Sequence, residues 1–268
     1  MITQDEATPY DVALQTNAAM AHKEFMSFIE RVQKMNLTEE EIIDSLKYYY
    51  NGFLNKYGGR AAAVAAEFYR EVRKKYPNLP EYSPVAFPYT PDTSADEGLM
   101  EKNVKEGGVE QAAATAEQMM HRRIYEAADN TLNQNAMADP AHPKTRLIPH
   151  PGACAWCGLL ALNEWDNGYE TVPRHSDCKC YLVVDFDNDP NFENADKLLK
   201  PYRDAYEKVY NESNNEKWRN EYRALPKAVR QTYGDGSPAG SRNAYMRNRL
   251  LQNMNVALGH TEHTVIDG

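Results

Sequence analysis

Four cysteines and one histidine stand together in the middle of this chain. Cys154 and Cys157 lie in CAWC, and His175, Cys178 and Cys180 follow in HSDCKC after a gap of seventeen residues. They are all four cysteines of a 268-residue sequence and one of its seven histidines. Thiolates and imidazole are the donors that zinc takes in a tetrahedron, and a C-x2-C pair joined to a second close pair is a usual structural arrangement. Five candidates compete for four places. Cys154, Cys157 and Cys178 are natural ligands, and the fourth is His175 or Cys180. A C-x-C pair is tight for two ligands on one metal, which favours His175. The expectation is one zinc per chain, pinning the intervening GLLALNEWDNGYETVPR, whose Asp166-Asn167-Gly168 supplies turn chemistry.

Other readings of the same residues stay open. Small buried cysteines are common in cores and need no metal. A disulfide from Cys154 to Cys178 or Cys180 would close the same loop. A thioredoxin-like role lacks its strand-helix-strand context. The start, MITQDEATPY, has no basic-then-apolar pattern, so the cysteine pairs read more readily as thiolates in a reducing cytosol than as disulfides.

The remaining polar clusters read as structure. Glu39, Glu40 and Glu41 open a helix, where the helix dipole favours carboxylates. Asp185, Asp187 and Asp189 alternate in VVDFDNDPN, but the twelve-residue calcium loop with its glycine is missing, so a solvated turn is expected. None of the serines sits in a G-x-S-x-G elbow, and there is no H-E-x-x-H. Ser176 adjoins His175, which does not place a hydroxyl on its base.

The elements that must carry these residues are mostly helices. MAHKEFMSFIERVQKM repeats Phe25, Phe28, Ile29 and Val32 at helical spacing. A second helix opens with a capping box, Thr38 with Glu41, buries Ile42, Leu46, Tyr49 or Tyr50, and Phe53, and ends at Gly58-Gly59. A third, RAAAVAAEFYREVRKKY, turns a small face, Ala62, Ala65 and Ala66, towards its neighbours. Together these predict an antiparallel three-helix unit over residues 1–76. Residues 77–108 begin with five prolines in fifteen positions, interleaved with aromatics, and read as a strap lying on a surface. A central region, 109–210, holds a helix from Val109, the Cys/His cluster, a strand or buried run in CYLVVDF, and a helix with Tyr202, Tyr206 and Tyr210 on one face. Pro201 opens or bends that helix. Residues 211–268 supply a C-terminal helical segment and tail. The fold class expected is mainly α, with a small α+β central region around the cysteines.

Composition narrows the function. The net charge is −9, with acid and base interspersed, which disfavours sequence-independent gripping of nucleic acid, although Arg242, Arg247 and Arg249 make a local basic patch. No stretch approaches eighteen apolar residues, so a membrane span is not expected. The hydrophobic fraction is 42%, the mean hydropathy −0.74, and tyrosines (18) far outnumber phenylalanines (7). Such a chain suits half-buried helix faces and surfaces that meet partners.

Three runs, YGGRAAAVAAEFYREVR, RLIPHPGACAWCGLLA and the segment from His175 to Cys180, resemble the MuF-like minor capsid proteins of tailed phages and prophages. The nearest group is that of actinobacterial phages, often labelled capsid maturation protease or minor head protein. The likeness covers roughly residues 40–210. The family's middle reads G-A-C-x-[FW]-C-x-x-L-A and then H-x-x-C-x-C; Gly152, Ala153, Cys154, Trp156, Cys157, Leu160, Ala161, His175, Cys178 and Cys180 match it. Where the family often continues with a Ser-Arg-Gly-x-Val-Tyr-like stretch, this chain has Leu162 to Tyr169 instead. The resemblance implies a structural protein of the phage head, inside it and at or near the portal vertex, present in the host cytoplasm during assembly. Its implied partners are the portal protein and the major capsid or scaffold protein, with packaged DNA met only indirectly. The alternative is a maturation protease cleaving scaffold or capsid protein, against which the sparse nucleophiles weigh.

Overall fold

The computed structural model describes residues 4–150, 152–162, 174, 178, 180–187, 195–212, 215–230 and 238–260. They are mainly helical. The chain divides into two units, one of residues 1–148 and 166–193, the other of 149–165 and 194–268.

The first unit is built on α1 (Gln4–Lys34), α2 (Glu39–Phe53), α3 (Gly59–Arg73) and α4 (Ser94–Ala138). Helix α1 starts well before the periodic run that predicts it. Its early half buries mostly small or widely spaced residues, Ala7, Tyr10, Leu14 and Ala18, and so carries a weak apolar signal. Helix α2 begins with the expected box: Glu41 N–H donates to Thr38 Oγ1 at 3.2 Å, and Thr38 N–H donates to Glu41 Oε2 at 2.8 Å. Its buried stripe is Ile43, Leu46, Tyr50 and Phe53, so Ile43 takes the place expected of Ile42.

The glycine doublet does not end this helix in a turn. Residues Leu54–Gly58 form one π-helical stretch that runs directly into α3, and Gly58 and Gly59 both keep right-handed angles (φ −63° and −60°). The expected antiparallel turn between the second and third helices is therefore absent. The wider turn keeps burial continuous through Phe53, Leu54, Tyr57, Ala61 and Ala62. There Asn17 of α1 donates to the Tyr57 carbonyl at 2.8 Å. The small face of α3 (Ala61, Ala62, Ala65, Ala66) is buried as expected, with Phe68, Tyr69 and Val72.

Helix α4 is a hairpin. Gly108 has φ 78°, which an L side chain rarely adopts, and the chain folds back there. Residues 94–107 therefore return along 109–138. Asn103 donates to Thr115 Oγ1 at 2.7 Å, and Asp96 accepts from Arg122 at 3.1 Å and from Arg123 at 2.8 Å. The strap thus ends at residue 93, and a helical arm occupies the positions expected to continue it.

The proline-rich residues do lie on a surface, that of the second arm of α4. Asn135 brackets Val85, accepting its N–H at 2.9 Å and donating to its carbonyl at 2.8 Å, and it also accepts from Tyr82 Oη at 2.9 Å. Phe87 N–H donates to Thr131 at 3.3 Å, and Tyr89 Oη donates to Glu126 at 2.5 Å. A proline-rich segment is short of amide donors and cannot build a ladder of its own. Here helix side chains spaced along one face satisfy it instead.

Strand β1 (Lys144–Ile148) pairs antiparallel with β2 (Tyr181–Asp185), in the register Lys144 with Asp185 to Ile148 with Tyr181. The strand reading of YLVVD holds. Thr145 donates to Asn133 of α4 at 2.9 Å, which fastens the ribbon to the helices.

The second unit comprises α5 (Ala155–Leu162), α6 (Ala195–Glu212), α7 (Asn215–Ala224), α8 (Lys227–Arg230) and α9 (Pro238–Ala257). Its core gathers Ala155, Val209, Leu251 and Met254, flanked by Trp156, Leu159, Tyr206 and Trp218. Pro201 lies inside α6 rather than at its start. The tyrosine row of α6 is graded: Tyr202 is buried, Tyr206 packs against the core, and Tyr210 is 56% exposed.

Candidate metal centre and a buried arginine

Cys154 and Cys157 are placed by the start of α5. Ala153 N–H donates to the His150 carbonyl at 2.8 Å and Gly152 has φ 79°, so the chain turns sharply into the helix. Two contacts then fix that end: Asn255 accepts the Ala155 N–H at 2.8 Å, and Tyr202 Oη donates to the Ala153 carbonyl at 3.1 Å. Gly158, directly after Cys157, leaves room for the Tyr202 ring, since a Cβ there would lie 2.0 Å from Tyr202 Cδ1.

Cys178 and Cys180 are placed by Arg174 and by the start of β2. Arg174 is buried, and its guanidinium is shared among three partners. Nε donates to Asp129 Oδ2 at 2.6 Å, Nη1 donates to Cys178 Sγ at 3.5 Å, and Nη1 also donates to the Cys180 carbonyl. The face of Tyr125 lies 5.4 Å from the guanidinium carbon. Burial pushes the Asp129 carboxyl up to about 6, against the opposing pull of Arg174. Burial also works against the charge on Arg174, yet Asp129 and the Cys178 sulfur beside it hold its pKa above the ordinary value. The carboxyl and the guanidinium meet at 2.6 Å, with the guanidinium also aimed at sulfur.

Cys157, Cys178 and Cys180 are each 2% exposed, and Cys154 is half-buried. Cys178 and Cys180 of the first unit and Cys157 of the second each offer a buried thiol of the kind that takes a metal ion. Sulfur donors of this kind suit zinc among the abundant divalent ions. His175, the preferred fourth ligand, lies outside the described residues, as do Ser176, Asp189 and the Asp166-Asn167-Gly168 turn.

Arg174 and Asp129 are the pair that sequence reasoning missed. Their only local signal is an acid four positions after Tyr125 on the buried face of α4, which must find a cation. The other polar clusters resolve as structure. Asp185 is buried in β2 and accepts from Arg146 at 2.7 Å, so it is no part of a solvated turn; Asp187 accepts from Tyr76 at 2.7 Å. In the expected basic patch, Arg249 donates to Glu221 at 3.0 Å and Arg247 stands 5.6 Å over the Trp156 ring. No described helix is long and apolar enough to cross a membrane.

No curated protein and no solved structure matches this chain. A sequence model of the VG15 protein family matches residues 1–213. That span takes in all of the first unit, the CAWC turn, the HSDCKC segment and α6, and on it the chain belongs to the phage-related VG15 protein family.

Proposed function

We propose that this protein is a structural minor capsid protein of the MuF-like kind, acting in phage head assembly inside the head, at or near the portal. The observation that carries the reading is the VG15 family match over residues 1–213, which encloses the ten positions of the G-A-C-x-[FW]-C-x-x-L-A and H-x-x-C-x-C pattern. The contacts around that pattern favour a structural part over turnover. Arg174 and Asp129 pair in the interior, Tyr202 and Asn255 hold the CAWC turn, and buried thiols suit metal donation better than the work of a lone activated nucleophile.

The function is then shape and docking, with the portal protein and the major capsid or scaffold protein as partners. One zinc per chain, held by Cys154, Cys157, Cys178 and either His175 or Cys180, braces the central segment. Co-expression with the portal, scaffold and major capsid proteins of the same phage, followed by gradient sedimentation, tests the reading. The chain should travel with assembled heads when portal is present. Its remaining at the top of the gradient with heads formed normally would contradict the assignment.

A further inference from the structure

We propose that Arg174 is a positioning residue for a soft divalent metal, donating to the Cys178 sulfur and the Cys180 carbonyl while Asp129 holds its guanidinium in place. The inference rests on the metal reading above and adds to it a residue outside the ligand set. A thiolate-rich centre gathers negative charge in a buried place, and that charge must be offset before sulfur can be brought to the ion. Hydrogen bonds from neighbouring groups to the ligands orient them and tune their basicity, and losing one typically costs about 10–100-fold in metal affinity.

Arg174 has the geometry for this work. Its Nη1 lies 3.5 Å from Cys178 Sγ and also reaches the Cys180 carbonyl, so one group fixes both ends of the C-x-C pair. Its Nε is tied to Asp129 Oδ2 at 2.6 Å, on a helix rather than on a loop. The Tyr125 face closes a further side. Held at a carboxylate, a ring and a backbone carbonyl, the guanidinium cannot swing away from the sulfur. A lysine would keep the charge but not the fork, because an ammonium lacks the planar set of donors.

Cobalt(II) is the probe, because its thiolate complexes give charge-transfer bands that report the sulfur donors. Wild-type protein, prepared reduced and metal-free, should bind one cobalt with thiolate charge-transfer absorption. Asp129→Asn with Arg174→Gln keeps hydrogen bonding but removes both charges. That double variant should bind cobalt at least about tenfold more weakly and with shifted bands, and Arg174→Lys should recover part of the affinity. A second measurement needs no variant to fold. In protein labelled with 15N-arginine, cadmium(II) should shift the guanidinium resonance of Arg174. If wild-type protein takes no cobalt, the metal reading falls and the role of Arg174 falls with it. Should wild type bind while the double variant matches its affinity and bands, or cadmium leave Arg174 unmoved, the role of Arg174 alone is overturned.

Discussion

Arg174 Nε donates to Asp129 Oδ2 at 2.6 Å across 45 residues of sequence, and both side chains are buried. One partner sits in the cysteine-bearing segment and the other on the long helical hairpin. Arg174 is therefore tied to α4 by an ion pair shielded from solvent. Removing one member leaves an uncompensated buried charge, which is strongly destabilising, whereas removing both for apolar groups of similar size is often neutral.

Asp129→Ala is accordingly expected to lower unfolding stability by about 3–5 kcal/mol. The double change Asp129→Leu with Arg174→Met should recover most of that loss. Urea denaturation of the three proteins checks it, and a double variant as unstable as the single would show that the pair does more than cancel its own charge.

Asn135 is the main clasp of the strap, bonding both Val85 backbone groups and the Tyr82 hydroxyl. Asn135→Ala should cost roughly 2–3 kcal/mol at about 1 kcal/mol per bond lost. It should also speed amide exchange and proteolysis in residues 77–93 before other regions. Hydrogen exchange read by mass spectrometry locates the effect.

Gly158→Ala introduces a Cβ that would lie 2.0 Å from Tyr202 Cδ1 and 2.4 Å from Tyr202 Cγ. The ring must move, and with it the hydrogen bond to the Ala153 carbonyl. Overpacking of this kind costs about 1–3 kcal/mol. The loss should fall on the second unit, seen as a lower thermal midpoint, and Tyr202→Leu in the same background should relieve part of it.

Thr38→Ala removes the side-chain half of the capping box of α2, where Thr38 accepts from Glu41 N–H. The expected loss is about 1 kcal/mol. Thr38→Ser should be close to neutral in the same denaturant titration.

Much of the fold can be read in the sequence where the signal is local. The Thr38 box, the alanine face of α3, the strand at Tyr181–Asp185 and the proline strap are each written within a few residues. The misreadings share a cause as well. Gly58-Gly59 looks like a helix stop, and only burial through Leu54, Tyr57 and Ala61 shows that a π turn carries the helix on. The first arm of α4 hides behind a weak apolar pattern, because much of what holds it is polar: Asp96 with Arg122 and Arg123, and Asn103 with Thr115. At the candidate centre, Cys154, Cys157, Cys178 and Cys180 declare themselves by spacing. Arg174 and Asp129 do not, since a contact across 45 residues leaves no periodicity to find.

The central claim is that the protein is a structural part of the head without proteolytic turnover. Heads assembled by co-expression with portal, scaffold and major capsid proteins can be purified and every component weighed by intact-mass spectrometry. The account predicts this protein among the components, with scaffold and capsid protein at their full encoded masses. Shortened scaffold or capsid protein, restored to full length by Cys154→Ala or His175→Ala, would contradict it.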